Sequence, residues 1–451
     1  MNLRSYLSTL SDAGELLTVA QPLDPRLELA GVIHGLSEQP VLFTNVSGSR
    51  YPVVAGLCSR RENVARGLGV ARERLLESMR TALRSPIPPP LVDEAPCQEV
   101  VEQQVHLLDL PALLHLSSDG GPYVSAGVVI IRDPDLGRNM SFHRLLRLDD
   151  RRFAVRLVEG RGTHSALHRA GGELEVAICI GNAPAVLLAA ATSPPPGVDE
   201  LGIANALQPT PLARCLTVDL QVPAEAEIVL EGRITGQTVA EGPFLDLTET
   251  MDQVRQQPVI EVQCVTHRRD AIYQALLPGG LEHKLLMGMP REPSIFDAVS
   301  RVCECTNVLL TTGGGAWLHA VVQIRKRDAN DGRLALEEAF RGHGSLKHAI
   351  VVDEDIDIYD PERVEWAVAT RLQADSGVLL WSDQPGSSLD PSARHVQGLK
   401  STTAKMGIDA TIPWRKPTGE PRTVIERQTF LRQGYSPVAL DSYKVEKARH
   451  A

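Results

Sequence analysis

Five prolines fall within residues 85–96, which read Ser-Pro-Ile-Pro-Pro-Pro-Leu-Val-Asp-Glu-Ala-Pro. Proline lacks an amide hydrogen and its ring fixes φ near −65°, so this run can be neither helix nor central strand. It reads as an extended, stiff connector. Before it, residues 62–84 contain no proline and are rich in Arg, Leu, Ala and Glu, which predicts one long helix. Short apolar runs bounded by turn residues, at 40–44 and 51–56, predict two strands. An N-terminal α/β domain over 1–105 follows. At about 150 residues per domain, a chain of 451 residues has room for two more.

Beyond the connector the pattern changes to strands. β-branched, partly alternating runs stand at 124–131, 175–180, 215–220, 227–231 and 259–265. Many strands at close spacing predict a split β-barrel over 106–305. One helix is expected at 164–170, and another starts at Asp199, a good N-cap, and runs into 203–207. From about residue 290, helix and strand alternate. A helix is expected at 294–302, with strands at 308–311, 316–324, 348–352 and 377–381. Asp360 followed by Pro361 opens a further helix, with an N-cap and a proline at the first helical position. A three-layer α/β domain over 306–451 is the result. The fold class is thus α/β (α+β multidomain), with a split β-barrel between an N-terminal α/β domain and a C-terminal three-layer α/β domain.

Forty-six Lys and Arg against 56 Asp and Glu give a formal charge of −10. Phosphate neutralisation needs clustered basic residues, so neither nucleic acid nor an anionic membrane is the expected partner. There is no apolar run of membrane-spanning length and no signal peptide pattern at the N-terminus. Seven cysteines without a C-x-x-C pair fit a reduced, cytoplasmic setting. Cys303 and Cys305 read as buried thiols rather than metal ligands. No G-x-G-x-x-G follows a strand, which argues against a Rossmann dehydrogenase. Trp, Tyr and Phe number only 4, 7 and 7. A flat π-surface in the active site is therefore expected from a cofactor.

Four segments carry an unusual set of polar groups. In residues 138–144, Asn139, Ser141 and His143 share one face of a strand, with Arg144 on the other unless a bulge turns it. Residues 161–164 end in His164. Residues 195–200 lead Glu200 into a helix, where it also suits the helix dipole. Residues 277–288 place Glu282 after a Gly-Gly turn at the start of an apolar helix.

Together these segments resemble the UbiD family of reversible decarboxylases. The pattern N-x-S-x-x-R is met by Asn139, Ser141 and Arg144, and the later polar residues by His164, Glu200 and Glu282. Residues 226–232, 241–244 and 405–411 look like further family hallmarks, in the family's order. The resemblance implies prenylated FMN, held in the split barrel through Mn²⁺ and K⁺ and supplied by a separate flavin prenyltransferase. It makes Asn139, His164 and Glu200 the metal ligands, a hard donor set suited to Mn²⁺. Ser141, Phe142, His143, Arg144 and Thr163 would line the cofactor, and Lys405 would meet its phosphate. Arg144 and Glu282 match the catalytic pair: Glu282 protonates the carbon that loses CO₂, and Arg144 orients the carboxylate and pairs with Glu282. The cofactor serves as electron sink. A second acid beside Arg144 is left open, since Glu241 and Asp246 are equally readable as structural acids.

The substrate expected from the resemblance is an aromatic or heteroaromatic acid of furan or pyrrole type. His319 and Arg327 would bind it, although His319 is equally readable as an ordinary strand residue. The alternatives are a phosphorylated, unsaturated aliphatic acid and, in another class, a non-catalytic flavin-binding subunit of a carboxylase. Homologous chains form dimers or hexamers, with 420–451 available for assembly.

Overall fold

The computed structural model describes residues 1–396, 399–413, 430–434 and 436–439. It is a mixed α/β structure of several sheets, as the alternation of periodicities predicts. The predicted strands near residues 40 and 51 form as Val41–Phe43 and Val53–Ala55, in a four-stranded sheet with Leu17–Val19. Its fourth strand, Tyr273–Gln274, comes from more than 200 residues further on and pairs in parallel with Val53 and Val54. The N-terminal layer is thereby tied to the segment that precedes Glu282.

The single helix expected over 62–84 is instead two, Arg61–Leu68 and Leu75–Arg84, with a short turn at Arg72–Arg74. Gly69 ends the first in the left-handed region at φ 69°, the conformation that closes helices and that glycine adopts without penalty. The proline run is extended as expected, but it is strapped down rather than free. Ile87 N donates to Gly202 O at 3.0 Å, and Leu212 N donates to Pro90 O at 2.8 Å. Asn205 Nδ2 adds a bond to Ile87 O at 3.1 Å. The connector therefore braces the helix Glu200–Leu207, whose N-cap Asp199 accepts from Leu201 N as predicted.

The central sheet has nine strands. Its spine is the antiparallel pair Ile228–Glu241 and Arg255–His267, each far longer than the runs that signalled them. Bulges between Glu231 and Gly232 and between Ile234 and Thr238 bend this pair. Residues 215–220 are not a strand. Short strands flank them at Leu212–Arg214 and Gln221–Pro223, and the turn between is gathered by the buried Glu231 carboxylate, which accepts from Leu216 N and Thr217 N. The run 124–131 splits into Tyr123–Val124 and Val128–Asp133. The helix Pro184–Ala190 is missing from the sequence reading because all seven residues are buried, leaving no polar face to reveal a period.

The last sheet has five strands, in the order Glu304–Leu310, His319–Arg325, His348–Asp353, Thr402–Asp409 and Val378–Pro385. Val322 packs with Leu336 and Ala339 of the helix Asp331–Gly342 on one face. Val321 packs with Val364 and Ala367 of the helix Pro361–Arg371 on the other. Neighbouring residues facing opposite layers give the three-layer arrangement. Asp360 caps its helix, accepting from Glu362 N and Arg363 N. Among the described residues no helix is long and apolar enough to cross a membrane. The assembly segment expected at 420–451 lies, apart from 430–434 and 436–439, outside the described residues.

One contact links packing to the site. Gly120 N donates to Pro243 O at 2.9 Å, and a Cβ on Gly120 would stand 2.3 Å from Gly242 O. Gly120→Ala must push this backbone aside and is expected to cost about 1–3 kcal/mol, read as a lowered thermal midpoint. Gly31→Ala lies within the helix Glu28–Gly35, and a Cβ there meets nothing within 4 Å. It should leave the midpoint unchanged or raise it.

Candidate active site

The strand Gly137–Phe142 carries the first group of residues. Asn139 Nδ2 donates to Glu200 Oε1 at 3.0 Å, and Met140 N donates to Glu200 Oε2 at 3.0 Å. Asn139 Oδ1 is buried and has no hydrogen-bond partner. Burial pushes the Glu200 carboxyl up to about 7, against the opposing hydrogen bonds from Met140 N and Asn139. A Cβ on Gly162, two residues before His164, would lie 3.1 Å from Asn139 Oδ1, so the start of the helix Gly162–Arg169 abuts this corner. His164 Nδ1 accepts from Gly160 N at 3.3 Å. An orphaned amide oxygen, a desolvated carboxylate and a nearby imidazole form a donor set that fits a hard divalent cation.

Ser141, His143 and Thr163 form a hydrogen-bonded chain. His143 Nε2 lies 3.1 Å from Ser141 Oγ and 3.0 Å from Thr163 Oγ1, and its Nδ1 lies 2.9 Å from Arg156 O. Burial lowers this imidazole to about 4, so it is neutral at pH 7. Phe142 is half-buried against the core.

Arg144 stands between two strands and turns away from that corner into a nest of acids. Its Nε and Nη2 meet the two Glu241 oxygens at 2.8 and 2.9 Å, and Nη2 also meets Asp252 Oδ2 at 2.8 Å. Nη1 lies 3.4 Å from Asp246 Oδ2, and the Phe244 ring lies 4.8 Å from the guanidinium carbon. Burial alone would weaken the hold of Arg144 on its proton. Glu241, then Asp252 and Asp246, reverse that and raise it above the ordinary arginine value. The fork-to-fork pair with Glu241 fixes the guanidinium plane. Tyr123 Oη adds a hydrogen bond to Glu241 Oε1 at 3.0 Å.

Glu282 is elsewhere. It does not meet Arg144, which corrects the expected pairing. Its oxygens accept from Gly56 N and Cys58 N, both at 2.9 Å, and it is 1% exposed. The cause is the end of its own helix. Glu38 accepts from Leu281 N at 2.7 Å and Glu282 N at 3.2 Å, filling the helix N-terminus, so Glu282 turns to the N-terminal layer. Burial, with Glu38 adding to it, pushes Glu282 up to about 7. The next residue of this helix is His283, whose Nδ1 accepts from Gly279 N at 3.0 Å. Its imidazole is lowered chiefly by burial, with Asp246 opposing and Lys284 and Arg144 assisting. Gly279 permits the approach, with φ 68° and a would-be Cβ 3.1 Å from Asp246 O.

Lys405 is buried, donates to Gly344 O at 2.8 Å and lies 5.3 Å from the Phe340 ring. Burial and then Lys400 lower it to about 8. His319 lies 2.8 Å from Thr311 Oγ1, and burial lowers it to about 4. Arg327 pairs with Glu304 and keeps 71% of its side chain in solvent. Its charge lies at the surface of the last sheet, next to Glu304. Asp252 and His283 had escaped notice. Neither has a local motif, and only the hairpin Phe244–Leu245 with Met251–Asp252 and the helix after Gly280 bring them in.

Three domain models of 3-octaprenyl-4-hydroxybenzoate carboxy-lyase match the chain: N-terminal over 7–83, Rift-related over 91–281 and C-terminal over 284–410. Anhydromevalonate phosphate decarboxylase of Methanothermobacter thermautotrophicus is 42% identical over 419 residues, covering 91% of this chain and 97% of that one. The protein of the same name from Methanosarcina mazei is 41% identical, with 96% and 99% covered. The UbiD-class enzyme HmfF from Pelotomaculum thermopropionicum, solved in complex with FMN, superposes with a TM-score of 0.89 at 39% identity, covering 98% and 100%. The apo 3,4-dihydroxybenzoic acid decarboxylase of Enterobacter cloacae gives 0.88 at 29%, with 98% of both chains covered. The chain belongs to the UbiD family of carboxy-lyases, and it is a decarboxylase of that type.

Proposed function

We propose that this chain is a prenylated-FMN-dependent decarboxylase of a phosphorylated, unsaturated aliphatic acid. One observation carries the choice of substrate. Five curated relatives that share this name, anhydromevalonate phosphate decarboxylase, are 38–42% identical over 83–96% of this chain. The aromatic acid decarboxylases among the solved neighbours stand at 26–29%. The heteroaromatic expectation leaned on His319 and Arg327, and in this structure His319 Nδ1 meets Thr311 and Arg327 meets Glu304. A flavin prenyltransferase is the cofactor supplier in this reading, and the working unit is at least a dimer.

When bound, prenylated FMN supplies the electron sink for the carbon that loses CO₂. The protein's task is to hold the acid and return a proton. We assign the proton to Asp246 Oδ2 rather than Glu282, with Asp246, an ion-pair partner of Arg144, taking that proton from solvent on its open side before it delivers it. Asp246 lies beside Arg144 and keeps 22% of its side chain open. Both Glu282 oxygens are occupied by backbone N–H groups. Arg144, held in plane by Glu241, keeps Asp246 in position and presents positive charge to an incoming carboxylate. Asn139, His164 and Glu200 would hold Mn²⁺ at the cofactor phosphate. The accompanying K⁺ rests on the family resemblance.

Two measurements follow. With protein co-expressed with a flavin prenyltransferase and given anhydromevalonate phosphate, Asp246→Asn should lower kcat by about 10²–10⁴-fold, the worth of a general acid. Glu282→Gln should stay within tenfold of wild type in kcat while losing about 1–3 kcal/mol of stability, because its NH₂ group would face a backbone N–H. The reverse order would return the acid role to Glu282. Second, Glu200 must lose its proton to bind a metal, and its pKa is about 7. Mn²⁺ affinity, read from the free-ion EPR signal, should therefore fall as pH drops below about 7, by roughly tenfold per unit. A flat response from pH 5.5 to 7.5 would argue against Glu200 as ligand.

A further inference from the structure

We infer that His115, backed by Asp119, is a positioning residue for the decarboxylation: it fixes the Phe244 ring, and through that ring the tilt at which Arg144 meets the acid. The inference rests on the proposed function, in which Arg144 orients the carboxylate. Phe244 reaches three members of the nest around Arg144. Its ring lies 4.8 Å from the guanidinium carbon and 4.4 Å from the Tyr123 ring, whose hydroxyl bonds Glu241. On the paired strand it stands opposite Asp252, which also holds Arg144. Glu241 and Asp252 grip Arg144 by its edges. Such a grip aligns the guanidinium with its acids but lets them swing together about the line that joins them. An aromatic ring against the face attracts the cation and blocks that swing.

His115 meets the same Phe244 ring edge-on. The centroids are 6.0 Å apart and the planes stand at 90°, a favoured geometry for two aromatic rings. The imidazole is not placed for acid–base work. Its side chain is 3% exposed, and Nδ1 stands 3.6 Å from Asp119 Oδ2, beyond hydrogen-bond reach. Among the described residues neither ring nitrogen has a hydrogen-bond partner, so neither has a group to pass a proton to. What His115 offers its neighbours is a rigid ring. Asp119 Oδ1 is likewise buried without a partner. Withholding these polar atoms from water is costly, and a residue that only filled space here would be apolar.

The loop that carries His115 is built to hold it still. Asp119 Oδ2 accepts from His115 N at 3.2 Å and from Leu116 N at 3.0 Å, closing the segment 115–119 on itself. The next residue, Gly120, donates to Pro243 O at 2.9 Å, one residue before Phe244. The loop is therefore seated on residues 243 and 244 at two points, one through the backbone and one through the ring. A shift of the loop would be felt first by Phe244, and then by the guanidinium it faces.

The test is a double-mutant cycle on the full chain, co-expressed with a flavin prenyltransferase. It uses whichever acid the wild type consumes fastest, with kcat expressed per bound flavin. His115→Leu should lower kcat about three- to tenfold, the worth of one edge-to-face aromatic contact. His115→Phe, which keeps a ring, should stay within about twofold of wild type. In a Phe244→Leu background the His115→Leu loss should shrink to less than about 1.5-fold, because the two residues act in series. A residue that only stabilised the fold would show no such dependence on Phe244. The role is overturned if His115→Leu leaves kcat unchanged, if His115→Phe is as slow as His115→Leu, or if the loss persists undiminished in the Phe244→Leu background. If the wild type consumes no acid, the proposed function fails, and crystal structures of wild type and His115→Leu decide on His115. A turned Phe244 ring with Arg144 tilted away from Glu241 supports the role, and both residues unmoved overturns it.

Discussion

A guanidinium removed from water has to be met by charge, and the middle of this molecule is organised around meeting that of Arg144. Its side chain is 9% exposed, and three acids from one stretch of chain converge on it. Glu241 ends the longest strand, Asp246 lies in the turn that follows, and Asp252 sits in the returning strand. Removing one partner of such a buried set typically costs about 3–5 kcal/mol. The hairpin 244–252 therefore folds onto the sheet as a condition of burying the arginine. The charge that pins the hairpin is also the charge available to a carboxylate substrate.

Around that centre, other carboxylates do work that is mechanical. Glu38 closes the N-terminus of the helix Leu281–Gly288, and Glu282 reaches from the same helix to the amides beyond the strand Val53–Ala55. The pairing of Tyr273 with Val53 strengthens the same seam. The start of this helix, where Gly279 approaches Asp246 O, is thus fixed by contacts made to a layer more than 200 residues away in sequence. The proline connector does the equivalent for Glu200, bracing its helix from outside through Ile87 and Asn205.

Much of this could be read in the chain itself. Caps with a local signature were legible, as at Asp199 and Asp360, and so was the order of polar motifs that joins Asn139 to Glu200. What failed was non-local. Glu282 carries the look of a catalytic acid, a carboxylate after a Gly-Gly turn, yet its direction is decided by Glu38, which no spacing relates to it. Glu241 and Asp246 were left undecided because only the fold shows Arg144 between them and Asp252. The helix Pro184–Ala190 was hidden because it is apolar on every side.

The account stands or falls on the kind of acid decarboxylated. The most direct measurement is a competition in one vessel. Protein co-expressed with a flavin prenyltransferase is given anhydromevalonate phosphate together with furan and pyrrole carboxylates, and the loss of each acid is followed with CO₂ release. The account predicts a kcat/KM for the phosphorylated aliphatic acid at least a hundredfold above those of the ring acids, about 2.7 kcal/mol of transition-state preference. Faster consumption of a furan or pyrrole carboxylate, with the phosphorylated acid left intact, would contradict it.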